Sequence, residues 1–174
     1  MTVHTEVKEQ FTGLILLTGV DRAGISAALF ETLSPFAISI VDVEQIIISD
    51  RLILTVLIAL NPSHQKAIEA DLEQCAAAND VDIATLFSST QLTTVKSALV
   101  DVTITSPKMH PSTVATISKL LTAANANIES VKRTSSDPLS LSFVVSNSTV
   151  DELSKALTAS EYEDGSAVAV KAHA

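Results

Sequence analysis

Residues 14–33 read LILLTGVDRAGISAALFETL, and one periodicity gives way to another within them. The aliphatic run that opens the stretch predicts a strand, and a polar turn over residues 21–24 follows it. Apolar residues then recur at three- and four-residue spacing, which predicts one face of a helix: Ile25, Ala28, Leu29 and Leu33. The first N–H groups of a helix have no intrahelical partner, and the helix dipole favours negative charge there. The turn is therefore a candidate site for a small carboxylate or a phosphate.

The segments around this stretch follow the order strand, helix, strand, strand, helix, strand. A hairpin is predicted over residues 38–48 and 52–60. A helix is predicted to start at Asn61-Pro62 and to end at Asn79, and a strand is predicted after it over residues 81–87. The same order then repeats, with strands over 97–105, 128–133, 139–145 and 167–171 and helices over 111–124 and after a capping box at Thr149. The order predicts two units, residues 10–90 and 95–172, joined near residues 88–96.

The two halves also match residue by residue. At an offset of 88 residues, apolar positions coincide in helix and strand: Leu16 with Ile104, Leu29 with Ile117, Leu33 with Leu121, Ile40 with Ile128, and Val43 with Val131. This match indicates an internal duplication. The predicted fold class is α+β, with two ferredoxin-like βαββαβ units, each an antiparallel four-stranded sheet with two helices on one face.

Composition excludes several function classes. The net charge of −9 argues against a nucleic-acid partner or an anionic membrane, and aromatic residues at 3% are too few for base stacking on an RNA-recognition sheet. The single cysteine, Cys75, excludes an internal disulfide and is expected to be buried. Neither a membrane span nor a signal peptide is predicted, so a cytoplasmic protein is expected.

The strands of the first half do not alternate apolar and polar residues. Aliphatic residues are consecutive at 14–17, at 52–54 and at 56–58. A sheet with one face in water would alternate, so both faces or the strand edges need a cover. The other unit or a second copy of the chain can supply it, and a homodimer is expected.

Other chemistry is weakly represented. Asp80 and Asp82 resemble the nucleophile motif of haloacid-dehalogenase-type phosphatases. However, Ala84 stands where that motif needs Thr or Val, and the two aspartates precede a strand. We therefore expect them to lie in a solvated loop. The four histidines lack mutual ligand spacing, and we expect neither a metal nor a cofactor; they are His4, His64, His110 and His173. For the turn at residues 21–24, the local pattern leaves open that Asp21 merely caps the helix.

Two segments carry a family resemblance. The first is TGVDRAGISAALF at residues 18–30, with VDVEQ at 41–45, and it resembles the first ACT domain of tandem-ACT bacterial phosphoserine phosphatases. The second is NIESVKR at residues 127–133, and it resembles the matching strand of their second ACT domain. Ala23 departs from the proline usual in the family. The resemblance implies binding of a small amino acid, serine or glycine, at an interface between ACT units. In the family a catalytic domain follows the two ACT domains, which here would place it after Ala174. The chain is therefore expected to lack phosphatase activity, whether it is the regulatory part of a longer enzyme or a free-standing double-ACT protein.

The binding groups follow from the helix start and the resemblance together. The ligand carboxylate would meet backbone N–H groups of Arg22, Ala23 and Gly24, and its ammonium would meet Asp21, Ser39 or Asp42. Arg22 could instead form a salt bridge with Asp42 or Glu44. In the second half the turn lacks glycine and its prolines remove donors, which leaves polar groups on the next strand: Asn127, Glu129 and Ser130. We therefore expect the first turn to bind better.

Three hypotheses result. The leading one is a regulatory module that binds an amino acid and dimerises. The second is a dimerisation module without a ligand. The third, a phosphoserine-hydrolysing enzyme in its own right, lacks a visible nucleophile with supporting partners.

Overall fold

The computed structural model describes residues 8–92, 98–160, 162 and 165–174. The chain divides into two units, Met1–Thr94 and Val95–Ala174. Each contains one four-stranded antiparallel sheet and two α-helices in the order βαββαβ, so the predicted α+β fold with two ferredoxin-like units is confirmed. Among the described helices, none combines the length and apolar character that crossing a bilayer requires.

The first unit has the sheet order β2-β3-β1-β4. Its elements are β1 (Lys8–Val20), α1 (Ile25–Leu33), β2 (Ser39–Ile48), β3 (Arg51–Ala59), α2 (Gln65–Asn79) and β4 (Asp82–Leu92). A short 3-10 turn, Pro62–His64, precedes α2, and the Asn61 side chain caps it by accepting from the Ser63 N–H at 3.0 Å. The helix ends at Asn79 as predicted, and Asp80 follows in the left-handed conformation with φ 49°.

The second unit has the corresponding sheet order, β6-β7-β5-β8. Its elements are β5 (Val100–Ser106), α3 (Pro111–Ala123), β6 (Asn127–Ser136), β7 (Leu139–Ser146), α4 (Val150–Thr158) and β8 (Ala167–Ala172). The predicted capping box is present: Thr149 Oγ1 accepts from the Glu152 N–H at 3.3 Å, and the Thr149 N–H donates to Glu152 Oε2 at 3.0 Å. These bonds satisfy two backbone donors at the start of α4.

Each unit buries one face of its sheet under its helices. In the first unit, Ile15 and Leu17 of β1 lie in one core cluster with Leu29 of α1 and Leu72 of α2. In the second, Val102 and Ile104 of β5 occupy the same place against α3 and α4. The face of each sheet opposite its helices is called its outer face below. Since side chains alternate along a strand, the neighbours of the buried residues point to that outer face.

The predicted joint between the units began too early in the sequence. Residues 88–92 are polar apart from Leu92, but they continue β4, because β1 begins at Lys8 and pairs with them, Lys8 opposite Leu92. Asp82 is likewise the first residue of β4 and not part of a loop, although both it and Asp80 are exposed as expected.

The predicted alignment of Leu16 with Ile104 was wrong. Leu16 is 38% exposed on the outer face, whereas Ile104 is fully buried. The buried Ile15 pairs with Val56 and the buried Val102 pairs with Phe143, so the first strands align at an offset of 87 residues. The helices keep the offset of 88, because Leu29 and Ile117 are both buried. The turn of the second unit therefore holds one extra residue, and a shift of one residue exchanges the two faces of a strand.

Candidate functional site

The turn between β1 and α1 ends in a glycine-capped helix start. Gly24 is the N-cap residue, with φ 95°, and its carbonyl accepts from the Ala28 N–H at 2.9 Å. Asp21 is therefore not the N-cap residue; its N–H donates to the Asp50 carbonyl at 2.8 Å, which joins the turn to the β2–β3 hairpin. The left-handed φ at residue 24 is one that glycine adopts without strain.

Open space lies in front of this helix start. A Cβ atom built at Gly24 meets no heavy atom within 4 Å among the described residues, and residues 21–24 are all exposed. Because glycine has no side chain to accept from the first N–H groups of α1, an external anion can approach them. The geometry suits a small carboxylate held by backbone donors.

Arg22 holds the turn against the second helix of the same unit. Its guanidinium Nη2 donates to the carbonyl of Asn79, the last residue of α2. A cation at the carbonyl end of a helix is favoured by the helix dipole. The partner seen here is a backbone carbonyl, which neither predicted role for Arg22 had named.

A second contact fixes the start of α1 to the sheet. Ser26 Oγ donates to Gln45 Oε1 on β2 at 2.7 Å. No role was predicted for either residue, although Gln45 belongs to the segment 41–45 that carries the family resemblance. The contact places β2 beside the first turn of α1.

Ser39 and Asp42 lie far from the turn of their own unit. Asp42 is in register with Leu57, which pairs with Leu14, six positions along β1 from Val20. At about 3.3 Å per residue, that separation is about 20 Å, and the same count for Ser39 gives about 26 Å. A ligand at the turn therefore reaches neither residue within one unit. Both are exposed, and Asp42 Oδ1 accepts from the Val43 N–H at 2.9 Å.

The corresponding turn of the second unit is closed by its own side chains. His110 is the N-cap residue of α3, and its Nδ1 accepts from the Ser112 N–H at 3.2 Å. Pro111 follows at the first helical position and supplies no N–H. Ser106 Oγ donates to the Lys108 carbonyl at 3.0 Å across the base of the turn.

The polar residues predicted for the second site lie at the other end of that unit. Asn127 Nδ2 donates to Glu129 Oε1 at 2.8 Å, and Ser146 Oγ donates to the same oxygen. These bonds, Ser146 first and Asn127 second, lower the pKa of the Glu129 carboxyl. Ser130 is half-buried and pairs with Val144. Asn127 pairs with Ser146, seven residues along β7 from Leu139, which pairs with Ser106, so about 23 Å separates the group from the turn.

The remaining candidates occupy ordinary positions. Cys75 is a buried free thiol, as predicted. His64 is half-buried, with its ring centroid 6.4 Å from that of Phe36, and His173 Nδ1 lies 2.6 Å from Asp101 Oδ1. His110 is the exposed cap described above, and His4 lies outside the described residues.

The turn lies within the residues that match known proteins. Residues 12–85 match the sequence model of the ACT domain family. A segment of 61 residues is 38% identical to phosphoserine phosphatase of Streptomyces coelicolor, covering 35% of this chain and 14% of that protein. A segment of 73 residues is 34% identical to phosphoserine phosphatase SerB2 of Mycobacterium tuberculosis, covering 41% of this chain and 18% of that protein. The matches thus span less than a fifth of either relative.

A solved structure resembles nearly the whole chain. A provisionally assigned glycine cleavage system transcriptional repressor superimposes with a TM-score of 0.73 at 14% identity, over 94% of this chain and 99% of that one. At this identity the likeness concerns the fold.

Proposed function

We propose that this chain, whose first unit is an ACT domain and whose second unit repeats its topology, is a regulatory module that binds a small amino acid. L-serine is the first candidate and glycine the second. The observation that carries the proposal is the open, glycine-capped start of α1 at Gly24, within the residues that match the ACT family. Its free backbone donors suit the carboxylate of a zwitterion.

The ligand would use groups from more than one unit or copy. Its carboxylate would accept from backbone N–H groups of the turn, those of Arg22, Ala23 and Gly24, together with the first N–H groups of α1. Asp21 on the same turn would accept from its ammonium. Ser39 and Asp42 lie about 20 Å or more from the turn of their own unit, so they would act on a ligand held by another unit or copy.

The second unit would contribute differently. Because His110 and Pro111 close its helix start, we expect weak or no binding at its turn. Asn127, Glu129 and Ser130 would take part only across an interface, since they lie at the far end of their sheet.

We further propose that the module serves phosphoserine phosphatase regulation in serine biosynthesis and that the chain itself does not hydrolyse phosphoserine. The similarity to two phosphoserine phosphatases supports the first part. Regulation would arise because the effector binds one packing of the units more tightly than another, which shifts the population toward it.

Calorimetric titration with L-serine and glycine tests the proposal. We expect heat with L-serine or with glycine. Gly24→Val should abolish that heat, because its branched side chain would occupy the approach to the N–H groups. His110→Ala in the second unit is the matched control and should leave binding unchanged. Unaltered affinity in Gly24→Val would contradict the site.

A second candidate is a dimerisation module that binds no ligand. The exposed apolar residues on the outer face of the first unit favour it, with Leu86 65% exposed. Absence of both heat and thermal shift at millimolar serine and glycine would support this alternative over the first. Hydrolysis of phosphoserine by the purified chain would contradict both.

A further inference from the structure

Gln45 lies beside the start of α1, on the helix side of the edge strand β2. It is in register with Leu54, which is buried under the helices, and residues directly opposite in a ladder share a face. Ser26, the second residue of α1, donates from Oγ to Gln45 Oε1 at 2.7 Å. The Ser26 N–H is one of the first N–H groups of the helix, which have no intrahelical partner. The Gln45 amide therefore lies next to the donors proposed for the effector carboxylate.

The bond from Ser26 sets the orientation of the Gln45 amide. A glutamine side chain carries one acceptor oxygen and an NH2 group with two donors. Because Oε1 accepts from Ser26, Nε2 is the group left for a ligand, and the described residues provide no acceptor for it. Its neighbours on the same side of β2, Val43 and Ile47, are apolar and exposed. Among residues 43–47, the helix side of β2 therefore offers one side-chain donor, Gln45 Nε2.

The second unit lacks this arrangement. The strand ladders and the offset of 88 residues place Arg133 at the position of Gln45 and Val114 at that of Ser26. Valine has no hydroxyl with which to hold a neighbouring side chain in one orientation. The βαββαβ fold therefore does not require the contact, and the contact occurs in the unit whose helix start is open.

We propose that Gln45 determines the specificity of the effector site by donating from Nε2 to the side-chain hydroxyl of a bound small amino acid. This inference rests on the proposed function, since it assumes a ligand carboxylate at the turn. With the carboxylate on the first N–H groups of α1, the ligand side chain begins two bonds away, beside the amide that Ser26 holds. A hydroxyl oxygen accepts from this donor, whereas the methyl group of alanine would displace water from it without replacing the bond. The site would therefore prefer L-serine to L-alanine and glycine.

Calorimetric titration of the whole chain with L-serine, L-alanine and glycine tests the inference. The wild-type chain should bind L-serine about tenfold more tightly than L-alanine, the usual effect of one hydrogen bond. Gln45→Leu has a similar volume and no donor, so it should bring this ratio to about one while the L-alanine affinity stays the same. Arg133→Leu, at the equivalent ladder position of the second unit, is the matched control and should leave the ratio unchanged.

The Ser26 side chain is a positioning group, and its variants test that role separately. Ser26→Ala should lower the ratio of serine to alanine affinity about threefold, because the ligand must then order the Gln45 amide itself. Ser26→Thr keeps a hydroxyl and should restore the ratio. A merely structural role would lower the affinity for all three amino acids alike and leave the ratio at its wild-type value.

The outcomes separate this inference from the proposed function. If no amino acid gives heat with the wild-type chain, the effector site fails and this inference fails with it. If L-serine binds but L-alanine binds as tightly, or if Gln45→Leu keeps the wild-type ratio, the effector site stands and the role of Gln45 is overturned. Loss of L-alanine binding in a Gln45→Leu chain with unchanged circular dichroism also overturns it. If Gln45→Leu loses its circular dichroism, Gln45→Glu, which still accepts from Ser26 but cannot donate, takes its place with the same expected ratio.

Discussion

The two units share a strand order and a set of core positions, yet they differ at the helix start and on the outer face. Leu29 and Ile117 are buried alike, as are Leu33 and Leu121. By contrast, α1 begins at a bare glycine and α3 at a histidine cap. The positions that decide the βαββαβ fold are thus the buried ones, and the positions at which the units diverge are those that a ligand or a partner would touch.

The largest expected effect concerns what the units share. Leu29→Ala and Ile117→Ala each remove a fully buried side chain, so each should lower the unfolding free energy of its unit by about 2–5 kcal/mol. The chain has no tryptophan and one tyrosine, Tyr162, which belongs to the second unit and packs on its core. Its fluorescence during urea unfolding should therefore shift in Ile117→Ala and much less in Leu29→Ala, while circular dichroism records both.

If Leu29→Ala shifts the tyrosine transition as strongly as Ile117→Ala does, the units unfold as one body and the comparison of separate cores fails.

The next effect reverses the difference on the outer faces. Asp101→Leu with Lys171→Leu gives the second unit the leucine pair that the first unit carries at Leu14 and Leu86. Because the new pair adds exposed apolar area, we expect about tenfold stronger self-association, seen as species beyond the wild-type state in sedimentation velocity. Asp101→Asn with Lys171→Gln keeps the face polar and is the control. Equal association in both variants would show that loss of the ion pair between Asp101 and Lys171, and not apolar area, is responsible.

A smaller effect separates the two helix starts. His110→Ala removes the side-chain acceptor of α3 and should cost about 1 kcal/mol of stability. Gly24→Ala removes no cap but places a Cβ at φ 95°, which also costs about 1 kcal/mol. We expect similar losses in urea unfolding but opposite consequences for serine binding, weakened by Gly24→Ala and untouched by His110→Ala. If serine affinity falls only in His110→Ala, the turn of the second unit, and not that of the first, is the binding site.

The smallest effect is a dependence on pH in the second unit. Hydrogen bonds from Ser146 and Asn127 lower the pKa of Glu129, and bonds from Thr149 and Ser148 lower that of Glu152, each below the usual 4.5. A carboxyl whose pKa is lower in the folded state stabilises it fully above pH 4.5, and the contribution is lost as pH falls through the folded value. The Tyr162 unfolding midpoint should therefore decline below pH 4.5, and less steeply in Glu129→Gln with Glu152→Gln. The same slope in that variant would contradict the prediction.

Much of this fold could be predicted from the sequence because its local patterns are strong. The helix over residues 25–33, the stop at Asn79 and the capping box at Thr149 each follow from short-range spacing. The end of β4 could not, since residues 88–91 are polar and only their pairing with β1 makes them a strand. The offset between the first strands of the two units was mispredicted for a related reason. Both Leu16 and Leu17 are apolar, so the sequence pattern does not reveal the one extra residue in the turn of the second unit.

The candidate site was predicted in part. Gly24 followed from the turn chemistry, and its left-handed conformation agrees with that choice. The contacts of Arg22 with Asn79 and of Ser26 with Gln45 join segments distant in sequence, so no local pattern reports them. Ser39 and Asp42 were grouped with the turn by resemblance, and only the strand register shows how far apart they lie within one unit.

The bond from Arg22 to Asn79 has a mechanical consequence. The bond joins the turn to α2, so a ligand that moves residues 21–24 would also weaken or break the hydrogen bond to the last carbonyl of α2. Occupancy of the turn would then be reported at a distance, as a change in amide exchange among the final residues of that helix.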